Sequence, residues 1–453
     1  MTAIFAGKAL LAGGWARNVR VSLEGGKISK VEPDASPQPG DERHAILVPG
    51  MANLHSHAFQ RGMAGLAETR GPGADSFWSW REVMYRFALN MTPSQVEAVA
   101  AQLYVEMLEA GFTRVGEFHY LHHDRNGQPY ENLAEMAERI AAASAAAGIG
   151  LTLLPVFYAH SGFGGAAPDQ GQRRFINDVN CFARLVEKSR ESVRALNQAV
   201  VGIAPHSLRA ATPDELRDIL PLAGESPVHI HVAEQVKEVE DCVAWCGKRP
   251  VEWLLDNVPV DARWCFIHAT HMTEAETLHM AKSGAIAGLC PITEANLGDG
   301  IFAAPLFAEH GGRFGVGSDS NVLIGLADEL RMLEYSQRLG HRARNVLAAP
   351  GQSNGRALFD GAVLGGNAAL GVTSQGLAAG APADFVSLKA DTPTLAGKSG
   401  DALLDAWIFA GGTAPDCVWV HGKKVVQDGI HTQREAVAKT FKATMLELAA
   451  SSG

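Results

Sequence analysis

Leu47-Val-Pro-Gly-Met-Ala-Asn-Leu-His-Ser-His57 is the stretch on which the reading of this chain turns. Its apolar run breaks at Pro49-Gly50, resumes, and ends in His55-Ser56-His57. Successive side chains of a strand point to opposite faces, so residues i and i+2 share one face. His55 and His57 thus stand on one side of a strand end, which suits a divalent metal that favours nitrogen, such as Zn²⁺. An isolated His-x-His is a weak signal and more often belongs to ordinary packing than to a metal site. Its meaning depends on what stands downstream.

From Ile46 to Ser320, eight short apolar runs recur, most followed by a helical segment. They are Ile46–His57, Thr113–Tyr120, Leu151–Tyr158, Val200–His206, Val228–Glu234, Trp264–His268, Ala285–Cys290 and Arg313–Asp319. Ala-rich or amphipathic stretches lie between them, such as Ser94–Ala110, Glu131–Ala147, Pro213–Leu222 and Glu274–Lys282. This alternation predicts an α/β fold with a parallel sheet. Eight units over about 275 residues predict a (β/α)8 TIM barrel, whose active site lies where the C-terminal strand ends converge. The polar residues of this chain collect at those ends. A doubly wound open sheet is the alternative, but no Gly-rich phosphate loop supports it.

The flanks read differently. Val19–Leu23 and Lys27–Val31 pair across Gly25-Gly26 as a hairpin, and Ala383–Leu388 with Cys417–Val426 repeat the pattern near the other end. The expected organisation is a small β-sandwich domain from 1–45 plus 373–435, a barrel over 46–372, and a terminal helix over 436–453.

The 453 residues are 47% hydrophobic and 19% charged, enough apolar material for a large core. The formal net charge is -10 with no basic run, which argues against a nucleic-acid partner. An anionic substrate would need a local cation working against this field. Met1-Thr-Ala-Ile-Phe-Ala-Gly-Lys8 lacks the pattern of a secretory signal, and no apolar run is long enough to span a bilayer. The scattered Cys181, Cys242, Cys246, Cys265, Cys290 and Cys417 do not read as a disulfide framework, so a cytoplasmic setting is expected. Cys242 and Cys246, four apart in a helical segment, read as helix packing.

Five strand ends supply candidate ligands or catalysts: His55 and His57, His206, His231, His268, and Asp319. Each buried imidazole needs a hydrogen-bond partner, so several histidines at one rim are hard to account for by packing. Together they predict a metal site.

On these residues the chain resembles the amidohydrolase superfamily. A His-x-His after the first strand, His231 after the fifth, His268 after the sixth and Asp319 after the eighth match its pattern. Leu377–Val386 and His421–Gly429 resemble its small β-domain, so the likeness covers essentially the whole chain. The resemblance implies Zn²⁺ held by His55, His57, His231 and Asp319. Two-metal members typically carry a carboxylated lysine at the end of strand four. That end reads Ala204-Pro-His206 here, and the nearest lysine, Lys188, lies in a helical segment, so one metal per chain is expected. His231-Val-Ala-Glu234 resembles the deaminase branch, in which a Glu three residues past the metal His shuttles protons. That pattern leaves His229 one layer deeper, as a hydrogen-bonded core residue. Within the branch, His55–Met63, Glu117–His123, Ala204–Arg209 and Gly317–Asn321 resemble the N-formimidoyl-glutamate deiminases of bacterial histidine degradation. Deaminases of guanine, cytosine and adenosine-type substrates share the metal pattern.

The implied reaction is hydrolysis of an amidine C–N bond, taking N-formimidoyl-L-glutamate to N-formyl-L-glutamate and ammonia. Asp319 would serve as base as well as ligand. His268 would steady the attacking water and the tetrahedral centre, and Glu234 would pass a proton to the imino nitrogen. A small anionic substrate needs a carboxylate anchor. Arg209, just past strand four, matches a carboxylate bidentately. Gln60, Tyr120 and His206 complete the expected substrate-binding set. A surface arginine, a capping tyrosine and a solvated glutamine are the structural readings of Arg209, Tyr120 and Gln60. Arg81, at the end of Phe77-Trp-Ser-Trp-Arg81, is the second candidate cation, and the segment around Trp78 and Trp80 is a lid or an extra packed helix. His122 and His123 read as loop residues. The expected assembly is a homodimer with no nucleic-acid or membrane partner. Two rivals stand beside this reading. A nucleobase or adenosine-type deaminase wants a flat aromatic pocket with no cation facing the substrate. A non-catalytic metal-binding barrel would leave Glu234 and His268 without a task.

Overall fold

Pro49 and Gly50 divide the opening run into two strands that serve different sheets. In the computed structural model, which describes residues 2–70, 77–374 and 376–451, four strands precede the break. They are β1 (Thr2–Leu11), β2 (Gly14–Glu24), β3 (Lys27–Glu32) and β4 (Glu42–Pro49); after the break comes β5 (Met51–Ser56). The single strand expected over Ile46–His57 is therefore corrected to two. Proline has no N–H for a ladder, and the Gly50 N–H turns away to Asp384 O at 3.0 Å.

From β5 onward, parallel strands alternate with helices. The first half runs α1 (Phe77–Ala88), α2 (Pro93–Ala110), β6 (Phe112–His119), α3 (Glu135–Ala147), β7 (Gly150–Phe157), α4 (Val179–Ser192), β8 (Val200–Val201), β9 (Ala204–Pro205) and α5 (Pro213–Ile219). The second runs β10 (Val228–Val232), α6 (Val236–Cys246), α7 (Pro250–Asn257), β11 (Trp264–His268), α8 (Glu274–Ser283), β12 (Ile286–Leu289), α9 (Pro291–Leu297), α10 (Ala304–Glu309) and β13 (Arg313–Val316), followed by α11 (Leu326–His341) and α12 (Asn354–Ala369). Strands pair in the order β5-β6-β7-β8, with β9 also on β7, and β10-β11-β12-β13. Isolated bridges, Ile203 to Val228 and Ser56 to Asp319, join the two sets at both seams. All eight expected runs contain strand. The fourth is interrupted at Gly202-Ile203, where a Cβ on Gly202 would lie 2.4 Å from Pro227 O.

Local chemistry sets the helix ends. Thr92, Thr212 and Thr273 each cap a helix, with Gln95, Glu215 and Glu276 answering three residues on. Gly111 ends α2 at φ +100°, a conformation that favours glycine.

The chain ends build one continuous eight-stranded sheet. It adds β14 (Phe385–Leu388), β15 (Pro415–Val420), β16 (Lys423–Gln427) and β17 (Ile430–His431), with α13 (Ala402–Phe409) between β14 and β15. The order is β17-β16-β15-β14-β4-β1-β2-β3, so β4 joins the two ends, parallel to β1 and antiparallel to β14. Ile4, Val19, Val21, Leu47, Phe385 and Trp419 belong to its own buried core. The expected Gly25-Gly26 turn is there, and Gly26 O accepts from Ala383 N at 3.0 Å. The terminal helix is α14 (Arg434–Ser451), packed on α2; residues 452 and 453 of the expected helix lie outside the described residues. Among the described residues, no helix is long and apolar enough to cross a membrane.

Candidate active site

Four side chains from three strand ends meet at one point. His55 and His57 come from the end of β5, His231 from β10 and Asp319 from the turn after β13. One ligand atom of each lies within 4.8 Å of all the others. His55 Nε2 is 3.1 Å from His231 Nε2, and Asp319 Oδ1 is 3.3 Å from the Nε2 of both His55 and His57. His57 Nδ1 faces Phe118 O at 2.9 Å and His231 Nδ1 faces His206 O at 3.1 Å. A carbonyl only accepts, so each of these Nδ1 atoms carries a hydrogen, and Nε2 is the ring atom that each histidine turns to the cluster. Burial pushes the His55 imidazole down to about 3 and holds His231 well below the usual histidine range. Burial alone would raise Asp319, but the imidazoles of His55 and His57 outweigh it and hold the carboxyl well below the usual range. Near pH 7, His55 and His231 are neutral and Asp319 is ionised, the states in which these groups bind a cation. Lone pairs packed this closely repel one another, and a divalent cation turns that repulsion into coordination. Three imidazole nitrogens and one carboxylate oxygen are a donor set that Zn²⁺ accepts.

A polar network that sequence reasoning missed holds these ligands. Asn53 Nδ2 donates to Ser318 Oγ at 2.6 Å, Ser318 Oγ donates to Asn321 Oδ1 at 2.6 Å, and Asn321 Nδ2 donates to His57 O at 3.0 Å. Asp319 N donates to His55 O at 3.0 Å, and His57 N to Asp319 O at 3.1 Å. A Cβ on Gly317 would lie 2.7 Å from His55 N and O, so this approach of two strand ends requires glycine. Glu117, buried on β6, accepts from Ala58 N at 2.7 Å and from the Tyr104 hydroxyl at 3.1 Å; burial pushes its carboxyl up to about 7. Asp319 at φ +47°, Ala233 at +51° and His268 at +66° are left-handed. Such angles cost about 1–3 kcal/mol each in non-glycine residues and persist where the surroundings impose them.

Glu234 and His268 stand beside this cluster. His268 Nε2 is 3.8 Å from both Glu234 Oε1 and Asp319 Oδ2, and its Nδ1 is 3.3 Å from Glu294 Oε1. Burial alone would lower this imidazole; Glu234, Glu294 and Asp319 outweigh it and push it up to about 10. Burial raises the Glu234 carboxyl, opposed by His268. A buried carboxyl held above its usual range is better able to hold and pass on a proton. His268, Cys290 and Asp319 form a second close group, but burial pushes the Cys290 thiol far up, which leaves a poor ligand. In a third, Glu42, His44 and Cys417, the ammonium of Lys424 already sits 2.6 Å from Glu42 Oε1.

His57, His231, Glu234, His268 and Asp319 line one cavity together with Gln60, Tyr120, His206 and Arg209. Gln60 Nε2 donates to the Tyr120 hydroxyl at 2.8 Å, while Gln60 Oε1 is buried without a partner. His206 Nδ1 lies 3.2 Å from Ser207 Oγ. Arg209 is buried with its Nε unpartnered. Burial disfavours its charge, but Glu238, Tyr158 and Glu234 outweigh burial and hold its pKa above the usual value. Helix α1 covers the cavity with Phe77, Trp80, Arg81, Met84 and Tyr85. Arg81 packs its guanidinium 4.6 Å from the Trp78 ring and lines the same cavity as Arg209. Tyr85, Tyr158 and Phe175 are wall residues that sequence reasoning did not name.

The remaining assignments separate from the site. His229 is buried with Nε2 2.7 Å from Ala369 O, as a core residue. His122 and His123 lie in the loop after β6, their Nε2 atoms on Val156 O and Ile176 O. Lys188, on α4, pairs with Glu191 at 2.7 Å on the surface. Cys242 and Cys246 lie on α6.

Comparison with known proteins agrees with this geometry. The model of the amidohydrolase family matches residues 46–425, and a model described as formimidoylglutamate deiminase HutF, N-terminal domain, matches residues 1–45. The chain is 51% identical to formimidoylglutamate deiminase of Pseudomonas aeruginosa, over 99% of this chain and 100% of that protein. It is 26% identical to 5-methylthioadenosine/S-adenosylhomocysteine deaminase of Natronomonas pharaonis, over 78% of this chain and 75% of the relative. A crystal structure of an amidohydrolase from Brucella melitensis superposes with a TM-score of 0.97 at 65% identity, covering 99% of this chain and all of that one.

Proposed function

The chain belongs to the amidohydrolase family, and from that premise we propose that it hydrolyses N-formimidoyl-L-glutamate to N-formyl-L-glutamate and ammonia. The observation that carries this is the meeting, in one cavity, of His57, His231 and Asp319 from the four-donor cluster with two guanidinium groups, Arg81 and Arg209. A nucleobase offers neutral acceptors but no negative charge to balance two cations, whereas a glutamyl group offers two carboxylates. The full-length 51% identity to a formimidoylglutamate deiminase supports the same substrate.

We read the two parallel strand sets, bridged at both seams, as one closed (β/α)8 barrel. The flank sheet folds back at Gly26–Ala383 around its own core, which supports a sandwich-like small domain. His55, His57, His231 and Asp319 hold one Zn²⁺ per chain. A divalent metal there lowers the pKa of water to about 7.

The rest of the chemistry is done by this chain's side chains. Arg209 and Arg81 hold the substrate carboxylates, and Gln60 Oε1 accepts an N–H of the amidine. Asp319 Oδ2 takes a proton from the attacking water. His268 donates from Nε2 to the oxygen of the tetrahedral centre. Glu234 gives its proton to the imino nitrogen and is recharged as the carbonyl forms. Asp319 passes the first water proton to the same nitrogen as the C–N bond breaks, so the nitrogen gains two protons and leaves as ammonia, with Glu234 and Asp319 back in their starting states. The test is ammonia release from N-formimidoyl-L-glutamate, guanine, adenosine and S-adenosylhomocysteine, with and without chelator. Turnover confined to a purine would replace this substrate with the adenosine-type reading. No turnover of any of them would favour a non-catalytic barrel.

A further inference from the structure

Arg174 is fully buried, and no acidic side chain forms an ion pair with it among the described residues. Its guanidinium donates to backbone instead. Nε donates to His123 O at 2.8 Å, Nη1 to Ala88 O at 2.6 Å and Met91 O at 2.9 Å, and Nη2 reaches the Tyr130 hydroxyl at 3.5 Å. Its own carbonyl accepts the N–H groups of His122 and His123, both at 3.0 Å. One residue thus fastens three segments: the end of α1, the chain leaving β6, and the loop between β7 and α4.

Each of those segments lines the cavity. Helix α1 supplies Arg81 and Met84, the chain leaving β6 supplies Tyr120, and the loop supplies Phe175, next to Arg174 itself. The Phe175 ring lies 4.9 Å from Tyr120, 5.8 Å from Tyr85 and 5.9 Å from Tyr158. Burying a guanidinium without an ion-pair partner is costly, and an apolar side chain of similar volume often serves stability as well or better. Burial accordingly pulls the Arg174 pKa down. What the charge does well is grip carbonyls at a helix C-terminus, where partial negative charge gathers; Ala88 is the last residue of α1.

We propose that Arg174 is a positioning residue for substrate: by pinning the end of α1 to the chain beyond Tyr120, it fixes where Arg81 stands above the four-donor cluster. It acts through α1 and does not itself line the cavity. This rests on the reading of an anionic amidine substrate given above.

The test is a double-mutant cycle on metal-loaded enzyme, with Arg174→Lys, Arg174→Met and Arg81→Met. Lysine keeps the charge but cannot span three carbonyls in fixed directions. The Arg174 variants should lose roughly tenfold to a hundredfold in kcat/KM for N-formimidoyl-L-glutamate, mostly through KM, as for displaced binding groups. Metal content should hold, and turnover of formamidine, which has no carboxylate, should change by less than about twofold. In the Arg81→Met background the Arg174 change should cost little more, because residues acting as one unit are not additive. Equal loss on both substrates, full additivity, or failure of both Arg174 variants to fold with metal would each overturn the proposal and leave Arg174 a folding residue. If wild-type enzyme does not turn over N-formimidoyl-L-glutamate, the substrate reading fails instead. Hydrogen exchange then decides the positional claim: residues 77–88 should exchange faster in Arg174→Lys while β5 and β10 stay protected, and unchanged exchange overturns it.

Discussion

Glu234 Oε1 faces His268 Nε2 at 3.8 Å, while Glu294 holds the other nitrogen of the same ring at 3.3 Å. The imidazole is gripped between two acids from different elements, one just past β10 and one on α9. Neither acid belongs to the four-donor cluster. The arrangement places two acids outside the cation-holding set, so Glu234 can be altered without removing a ligand.

Glu234→Gln keeps size and hydrogen bonding but loses the transferable proton. We expect kcat to fall by roughly 10²–10⁴, the usual range for general acid–base work. Metal content, read by elemental analysis, should stay at the wild-type level. A variant with near-full kcat would assign the proton to another group.

His268 predicts a pH dependence of stability in the metal-free protein. Its folded pKa is raised from 6.5 to about 10. A raised histidine contributes stability that is fully present below its unfolded pKa and is lost as pH rises through the folded one. The melting temperature of metal-free wild type should therefore fall between pH 6.5 and 10 more steeply than that of His268→Gln. Parallel slopes would show that the ring is not held charged. The difference between the two proteins is the readout, because it isolates this ring from every other titrating group.

Elemental analysis should find one tightly held metal per chain, and His231→Ala should abolish both binding and turnover. Two tightly held metals would contradict the reading built on Ala204-Pro-His206. Asn321→Ala probes the layer behind the ligands. It removes the bonds to His57 O and Ser318 Oγ and should weaken metal affinity about 10–100-fold, as for other outer partners of metal ligands. Unchanged affinity in a competition titration would reduce that network to a packing feature.

How far the sequence could be read follows the range of its signals. Period-two spacing placed His55 and His57, and polar strand ends placed His206, His231, His268 and Asp319, because a parallel fold gathers those ends on one rim. Arg81 and Arg209 carried a chemical signal, a cation in an acidic chain. The split at Pro49-Gly50 was visible as punctuation, but the partner of β4 was not: β14 lies over three hundred residues away, and pairing at that range leaves no local trace. Asn53, Ser318 and Asn321 look like ordinary turn and strand polars until two strand ends are brought together. Glu294 reads as a helix first-turn acid, and Arg174 as a loop cation. Their roles come from neighbours distant in sequence.

Arg209 decides the substrate. If it holds a glutamyl carboxylate, Arg209→Met should weaken transition-state binding by about 2–5 kcal/mol, as for losing one partner of a buried charge pair. The loss should appear in kcat/KM for N-formimidoyl-L-glutamate and be far smaller for an amidine without that carboxylate, which never used the contact. Burial sharpens the expectation: Arg209 is 8% exposed with Nε unpartnered, so a bound carboxylate would complete a site that solvent barely reaches. Equal losses on both substrates would mean that Arg209 serves the fold, through its interaction with Glu238 and Glu234. The deiminase chemistry would survive that result, and Arg81 would then be the carboxylate anchor, which the same pair of assays on Arg81→Met would establish.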